Sequence, residues 1–219
     1  KRSDAPGDNS SLLRCRFSTV TNRILLLHGW TNRRPVGHWM RLSAAELRTR
    51  GNHVWYPQFP KPETPDPIEW QDLIEQESKM MDEVSGGEKI AIAHSLGCLN
   101  WMMAAMTSRL GQPFDRVLFV APPDPIKTEE AEGIEGEPMN LQHPLLLPGI
   151  RNFTKSFEIL ASDQDRWLPR GIGIYEEALQ QKATVIPGAG HFSLDDGWGQ
   201  WPGLWSWVAS GNPGDLSSR

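Results

Sequence analysis

The chain has 219 residues, and its 22 Lys and Arg against 27 Asp and Glu give a formal net charge of −5. A chain of this length can bury a core large enough for one domain without disulfides or metals. Its acidic balance lacks the cationic excess typical of nucleic-acid binders, so we expect no nucleic-acid ligand. Since no apolar run approaches the length of about 18 residues that a membrane helix needs, we expect no membrane span either.

Six short apolar runs follow one another along the chain, separated by longer amphipathic stretches. The runs cover residues 23–29, 53–57, 88–94, 116–122, 156–162 and 183–188. Strands that alternate with helical stretches predict a parallel sheet covered by helices on both faces. We therefore expect an α/β fold with a sheet of about six, mostly parallel strands.

Helical patterns fill the intervals between these runs. Residues 38–51 form a predicted helix closed by Gly51, and residues 68–84 place Ile68 and Met80 on an apolar stripe. The segment after Ser95 is apolar nearly all round, which predicts a buried helix ending at Gly111. Two further helices are expected at residues 171–181 and 198–210.

The least regular segment spans residues 122–151 and contains an acidic stretch. It is either a solvated loop or a small lid over the mouth of a site. We expect residues 21–210 to form one domain, flanked by a polar, partly ordered N-terminal tail of residues 1–20 and a C-terminal tail of residues 211–219.

The stretch KIAIAHSLGCLN, residues 89–100, runs from a predicted strand into a predicted helix with Ser95 at the turn. A nucleophilic serine on such a turn needs small residues two positions before and after it, and Ala93 and Gly97 meet that need. The alternative is that Ser95 only caps the helix that follows.

Two later strand ends carry the partners that a nucleophilic serine requires. His191 follows the last predicted strand in a glycine-rich turn, where it can act as the base. Asp163 and Asp165 both follow the strand before it, and we assign Asp165 as the acid because it precedes Pro169 by four residues. The order Ser95, Asp165, His191 is that of the α/β-hydrolase triad.

The first strand ends in LLLHGW, a loop whose backbone amides can face the serine. An oxyanion hole is therefore predicted from the N–H groups of Trp30 and Leu96, with Gly29 allowing a close approach. Trp39 and Trp167 are candidate walls of the substrate pocket, although each could equally be a core residue.

Other residue types indicate little further chemistry. Neither a metal-ligand cluster nor a phosphate-binding glycine motif is present, so we expect no metal and no organic cofactor. Arg33 and Arg34 either recognise a substrate carboxylate or are simply solvated. Cys15 and Cys98 form neither a disulfide framework nor a zinc spacing, which favours a reducing cytoplasm. The sequence begins with Lys1, so a removed leader remains an open alternative.

With these motifs the chain resembles the small serine hydrolase family that includes retinoblastoma-binding protein nine and its bacterial relatives. The resemblance covers residues 23–208 and rests on LLLHGW, IAHSLG, SDQDRWLP and GAGHF. It implies a minimal α/β-hydrolase with little or no cap and a triad at Ser95, Asp165 and His191. The chain departs from the family pattern at Ala93, where relatives often carry glycine.

These features predict a serine hydrolase that cleaves small carboxylic esters through an acyl-enzyme. The partner expected is a small-molecule ester or a related acyl compound. Two alternatives remain open: a binding or regulatory protein that kept the fold, and a thioesterase or amidase that uses the same residues.

Overall fold

The computed structural model describes residues 21–134 and 136–217. Six strands in this part of the chain form one sheet: β1 (Arg23–Leu27), β2 (His53–Trp55), β3 (Lys89–His94), β4 (Phe114–Val120), β5 (Thr154–Ala161) and β6 (Thr184–Val185). All neighbouring strands are parallel, in the order β2-β1-β3-β4-β5-β6. The predicted α/β fold with about six parallel strands is confirmed, although several strand ends differ.

The described helices are α1 (Trp39–Thr49), α2 (Pro67–Asp82), α3 (Leu96–Met106), α4 (Pro125–Glu129), α5 (Leu146–Phe153), α6 (Gly173–Leu179) and α7 (Pro202–Ser210). Polar side chains begin several of them. Asp66 and Asp124 accept N–H groups of the first turns of α2 and α4, and a proline occupies the next position in each. Gly51, with φ of 87°, follows the end of α1 as predicted.

The helices form one layer on each face of the sheet. Because alternate residues of a strand point to opposite faces, Ile24 and Leu26 pack with α1 and α7, whereas Leu25 and Leu27 pack with α2, α3, α5 and α6. The buried tryptophans supply much of the bulk on both faces: Trp39, Trp70, Trp101, Trp198, Trp201 and Trp207.

Two helical predictions are wrong in detail. Helix α3 ends at Met106 and not at Gly111, because Ser108 takes a left-handed conformation with φ of 57° and closes the helix. On α2 the predicted stripe residues Ile68 and Met80 are exposed, whereas Trp70 is fully buried. Ile68 lies in the first turn of the helix and is exposed to solvent.

The segment 122–151 is only in part a loop. It contains α4 and then α5, and α5 packs so closely on α3 that a Cβ at Gly149 would lie 2.7 Å from the Cα of Met106. Beyond α7, residues Pro213–Ser217 form a 3₁₀ helix whose Leu216 is buried. The predicted tail of residues 1–20, with Cys15, lies outside the described residues.

The strand order creates a crevice where the site was expected. β2 lies outside β1 on one side, and β4 lies beyond β3 on the other, so the chain reverses its direction of winding between β1 and β3. Ligands of open α/β sheets bind at such a switch point, beyond the carboxyl ends of the strands. Gly29 follows β1 and Ser95 follows β3 at this place.

Candidate active site

Ser95 occupies the sharp turn between β3 and α3. Its backbone has φ of 54° and ψ of −126°, a strained conformation for a residue other than glycine, and its N–H donates to the carbonyl of Val120 at 3.0 Å. Its side chain makes no capping hydrogen bond to α3. The geometry therefore disfavours the alternative of a helix-capping serine.

The residues around this turn must be small because backbone segments pass very close to it. A Cβ on Gly97 would lie 2.6 Å from the carbonyl oxygen of Leu27. A Cβ on Gly29 would lie 2.7 Å from the Cβ of Ser95. Ala93, in contrast, lies inside β3 and is fully buried, so its methyl group is accommodated by the core.

His191 lies between the serine and the acid. Its Nε2 is 2.7 Å from the Oγ of Ser95, and its Nδ1 is 2.9 and 2.8 Å from the two carboxylate oxygens of Asp165. An ionised carboxylate only accepts hydrogen bonds, so Nδ1 carries the proton and Nε2 is free to accept the serine hydroxyl. The structure thus brings together the three residues predicted as a triad.

Two other aspartates fix the loops that carry His191 and Asp165. The carboxylate of Asp163 accepts the N–H of Gly188 at 2.7 Å, which joins the acid loop to the histidine loop. Asp196 accepts the N–H of His191 at 2.9 Å and the hydroxyl of Ser193 at 2.6 Å. Burial alone would raise the pKa of Asp196, but these hydrogen bonds outweigh it and hold the pKa below its usual value.

Three further histidines near the site are buried and favour the neutral state. Burial lowers the pKa of both His28 and His38 from 6.5 to about 4, and it lowers the pKa of His94 well below its usual value. His28 bridges the carbonyl of Gly29 and the N–H of Phe59 through its two ring nitrogens. The imidazole of His94 donates from Nε2 to the carbonyl of His191 at 2.9 Å, so it positions the histidine loop.

A cavity of about 370 Å³, which we name the serine cavity, opens beside these residues. Its lining includes Ser95, His191, Gly29, Trp30 and Leu96. Within residues 21–134 and 136–217, the backbone N–H groups of Trp30 and Leu96 have no hydrogen-bond acceptor. Leu96 is the first residue of α3, where a backbone N–H has no acceptor inside the helix.

Of the two tryptophans predicted to form pocket walls, Trp167 lines the serine cavity and Trp39 lies in the core. Trp30 and Trp167 both line the cavity, with their rings edge to face at 5.6 Å. Trp39 does not line it: the ring is fully buried against His94, and its indole N–H donates to the carbonyl of Phe192 at 2.8 Å. The expectation that Trp39 forms a pocket wall is therefore wrong, because α1 turns this ring toward the core.

The arginines considered for substrate binding also lie elsewhere. Arg33 forms two hydrogen bonds with the carboxylate of Glu63, and Arg34 donates to the carbonyl of Tyr56; neither residue lines the serine cavity. Arg166, which was not predicted as a site residue, does line the serine cavity. Its position between Asp165 and Trp167 was the available signal.

The segment 122–151 supplies another wall that was not predicted by residue. Thr128 of α4 and Ile134 line the serine cavity, so this segment covers one side of it.

Cys98, on α3, is fully buried, and burial raises the pKa of its thiol well above the usual value. A thiol that stays protonated in this way is a poor nucleophile, which agrees with its reading as a small buried residue.

Within residues 21–134 and 136–217, no three His, Cys, Asp or Glu side chains are grouped so that they could hold a metal ion. No helix in the same part of the chain is long and apolar enough to cross a membrane.

The parallel sheet with helices on both faces and the strained turn at the switch point define a minimal α/β-hydrolase fold. Comparison with family models agrees with this class. The chain belongs to the serine hydrolase family, whose model matches residues 24–210. The family predicted from the motifs is thereby confirmed, and membership of this family makes the protein a hydrolase.

Several solved structures share the fold at low sequence identity. The ydeN gene product from B. subtilis is 18% identical, with a TM-score of 0.68, and the match covers 87% of this chain and 98% of that one. Est1E from Butyrivibrio proteoclasticus is 17% identical, with a TM-score of 0.57, covering 80% and 81%. An esterase domain from Rhodothermus marinus is 14% identical, with a TM-score of 0.54, covering 81% and 82%. No curated protein matches the sequence.

Proposed function

We propose that the protein is a carboxylesterase-type serine hydrolase that cleaves small esters through an acyl-enzyme. The observation that carries the proposal is the continuous hydrogen-bonded chain from the Ser95 hydroxyl through His191 to Asp165. A serine hydroxyl is a weak nucleophile until an adjacent base accepts its proton, and this chain supplies that base with its orienting acid.

The steps follow from the positions of these atoms. Oγ of Ser95 attacks the ester carbonyl while its proton passes to Nε2 of His191, and the carbonyl oxygen becomes an oxyanion. The free N–H groups of Trp30 and Leu96 are the proposed donors to that oxyanion. The intermediate collapses to the acyl-serine as His191 protonates the departing alcohol.

Hydrolysis of the acyl-serine repeats the same proton transfers with water. His191 accepts a proton from the water molecule as its oxygen attacks the acyl carbonyl. Collapse of the second intermediate releases the carboxylic acid and returns the proton to Oγ of Ser95. Throughout, the carboxylate of Asp165 keeps the proton on Nδ1 and stabilises the imidazolium that forms.

The shape of the serine cavity supports a small substrate. Trp30 and Trp167 narrow one side with aromatic edges, which suits an aryl group. Next to it, behind Leu96 and Ile134, a side cavity has a volume of only about 40 Å³. So small a side cavity suits a short acyl group and leaves no room for a long chain.

The proposal is tested with p-nitrophenyl acetate and a fluorophosphonate probe on the purified protein. We expect turnover of the ester and a mass adduct on Ser95, and loss of both in Ser95→Ala. The matched control is Ser193→Ala, which removes the other serine hydroxyl lining the cavity and should still be labelled at Ser95.

A folded protein without an adduct, and with the same ester turnover in Ser95→Ala, would contradict the enzyme proposal and favour a binding or regulatory role. One of the structures that share this fold is that of an esterase domain, from Rhodothermus marinus, so esters are the first substrates to try. A panel of acetyl esters, thioesters and anilides then separates esterase activity from thioesterase and amidase activity.

A further inference from the structure

A second cavity, of about 300 Å³, lies outside the serine cavity and shares no lining residue with it. We name it the arginine cavity. It lies between the loop after β1, the side of α1 that carries Ala44, and the residue that follows β2. Its lining residues are Arg33, Arg34, Arg41, Ala44, Arg48 and Tyr56. Four guanidinium groups thus surround one small volume, and no carboxylate lines it.

Neutral carbonyl groups hold most of these arginines in place. Arg34 donates to the carbonyl of Tyr56 at 2.8 Å, and Arg41 donates to the carbonyl of Arg34 at 3.0 Å. Arg48 donates to the carbonyl of Val54 at 2.8 Å. A guanidinium has five N–H donors, so each side chain is fixed in position with several donors left over.

The charges of these groups are largely uncompensated. Of the four arginines, only Arg33 forms an ion pair with a described carboxylate, that of Glu63. Like charges gathered at one place repel one another, and a bound anion of high charge would relieve that repulsion. A protein with a net charge of −5 therefore carries a local cluster of opposite sign.

Tyr56 adds an observation that is independent of the arginines. The residue is 9% exposed, and its hydroxyl is a buried polar atom with no hydrogen-bond partner in the described chain. Burial raises the pKa of the phenol, while the charges of Arg34 and Arg41 act in the opposite direction. The hydroxyl is therefore a protonated donor within electrostatic reach of two of the cavity's guanidinium groups.

A buried hydroxyl without a partner costs free energy, and such a group in a folded protein calls for an explanation. A ligand oxygen that accepts the phenolic O–H would supply one, and because this hydroxyl is buried, the side chains that cover it must shift to admit that oxygen. The guanidinium fork matches the oxygens of phosphate and carboxylate groups, and a phosphate dianion offers more charge and more acceptor oxygens to several forks at once.

We propose that the arginine cavity binds a phosphate dianion, held by the guanidinium groups of Arg34, Arg41 and Arg48 and by the hydroxyl of Tyr56. The phosphate is either the free inorganic ion or the end group of a small phosphate monoester. The site is separate from the serine cavity, so binding does not depend on the proposed ester hydrolysis.

Calorimetric titration of the full chain tests the proposal, with inorganic phosphate and glycerol 3-phosphate as the two probes. The buffer is free of phosphate, and sodium chloride keeps the ionic strength constant so that general screening does not contribute. We expect saturable binding at one site, and a melting temperature that rises with phosphate concentration. The tighter of the two probes identifies which source of phosphate the cavity prefers.

Three variants locate the binding. Arg41→Gln and Tyr56→Phe should each weaken phosphate binding about tenfold, the effect of one lost hydrogen bond to a charged group. Without phosphate, Tyr56→Phe should melt no lower than the native chain, because it removes an unpaired buried hydroxyl. Arg48→Gln serves as a second arginine variant if Arg41→Gln does not fold.

The matched control is Arg50→Gln, which removes the same charge from the end of the same helix but outside the cavity. Its phosphate affinity should stay close to that of the native chain, as should that of Ser95→Ala. The proposal is overturned if neither probe binds saturably, if Tyr56→Phe binds phosphate as well as the native chain, or if Arg50→Gln weakens binding as much as Arg41→Gln.

Discussion

Backbone strain in single residues occurs around Ser95 and at four other positions of the described chain. Besides Ser95 itself, three non-glycine residues at strand ends or in the loops of the site have positive φ: Thr31 at 56°, Ala121 at 48° and Phe192 at 53°. Each such conformation costs on the order of 1–3 kcal/mol and persists only where surrounding contacts hold it. Thr31 and Ala121 are held by backbone hydrogen bonds of 2.7 and 2.8 Å from their N–H groups. These strained conformations lower the local stability of the serine turn, of the loop after β1 and of the histidine loop.

The two aspartates of the acid loop make different contacts, which predicts different effects of their removal. Asp165→Asn replaces the carboxylate that holds the His191 ring, and an amide there favours the wrong tautomer. By analogy with other serine hydrolases of this mechanism, we expect kcat/KM for p-nitrophenyl acetate to fall by about 10⁴-fold. Asp163→Asn, the matched control, keeps a side-chain oxygen that can accept the N–H of Gly188, so kcat/KM should fall far less. A larger loss in Asp163→Asn would show that the acid was assigned to the wrong residue.

The change in the pKa of His38 on folding predicts how the stability of the protein depends on pH. Its pKa is about 4 in the folded protein, lowered by burial from the ordinary value of 6.5 expected in the unfolded chain. Between these values the unfolded state binds the extra proton, so stability is fully present above pH 6.5 and declines as the pH falls toward 4. The decline from this residue amounts to at most roughly 3.5 kcal/mol, at about 1.4 kcal/mol per pH unit.

His38→Asn removes this titration while keeping a good capping residue at the start of α1, where His38 now accepts the N–H of Met40. Urea unfolding at pH 7 and pH 5 should therefore show a smaller loss of stability for the variant than for the native chain. His53→Asn, at an exposed position at the start of β2, is the control and should keep the native acid response. An unchanged loss in His38→Asn would contradict the prediction.

At the scale of elements, the contact between α3 and β1 decides whether the serine turn can form. Gly97 lies on the first turn of α3, directly against the carbonyl oxygens of Leu27 and His28. Gly97→Ala would place its Cβ 2.6 and 2.7 Å from those oxygens, so the helix or the strand must shift. We expect a loss of about 1–3 kcal/mol in unfolding free energy and a fall in ester turnover, because the shift moves Ser95.

Gly173→Ala provides the comparison for that prediction. This glycine begins α6 and has no atom within 4 Å of the position of an added Cβ. Alanine there should leave turnover unchanged and raise stability by about 0.5–1 kcal/mol. If the two alanine variants had equal stability and turnover, the close approach at Gly97 would not be a structural requirement.

At the scale of the whole molecule, the two ends of the sheet have different roles. The carboxyl ends of the strands carry the serine cavity, whereas the opposite end is held by contacts such as those of Arg116 on β4. Its guanidinium donates to the carbonyls of Trp207 and Val208 at 2.7 and 2.8 Å and pairs with Glu88. Arg116 therefore joins the end of α7 to the sheet.

Arg116→Gln should consequently lower stability without changing the chemistry of the folded protein. Leaving the buried carbonyls without their donor costs about 1–3 kcal/mol, measured as a lower midpoint in urea unfolding. At a temperature where the variant is fully folded, kcat/KM for the ester should stay within about twofold of the native value. The reason is that neither Arg116 nor the groups it binds line the serine cavity. Lys155→Gln, which removes an exposed cation at the same end of the sheet, should change neither quantity. A large fall in kcat/KM for folded Arg116→Gln would show that the two ends are coupled.

The sequence by itself determined the class of fold, the family and the three residues that now meet at the switch point. These features are encoded locally: alternating apolar runs, small residues at a turn, and an acid and a base that each follow a strand. Parallel strands then bring their carboxyl ends to one edge of the sheet. For that reason the sequence alone could predict that Ser95, Asp165 and His191 lie together.

Only the tertiary structure decided which side chains surround those residues. Ser95 and His191 are 96 positions apart in the chain and Asp165 and His191 are 26 apart, and the walls between them come from still other segments. Whether a tryptophan such as Trp39 faces the cavity or the core depends on how its helix is rotated against the sheet. The arginine cavity has the same origin, since Tyr56 meets the cations of α1 only when β2 is placed beside β1. Packing between segments that are distant in the chain does not affect the local periodicity of the sequence. For that reason the sequence predicted Ser95, Asp165 and His191 but not all of the side chains that line the cavities.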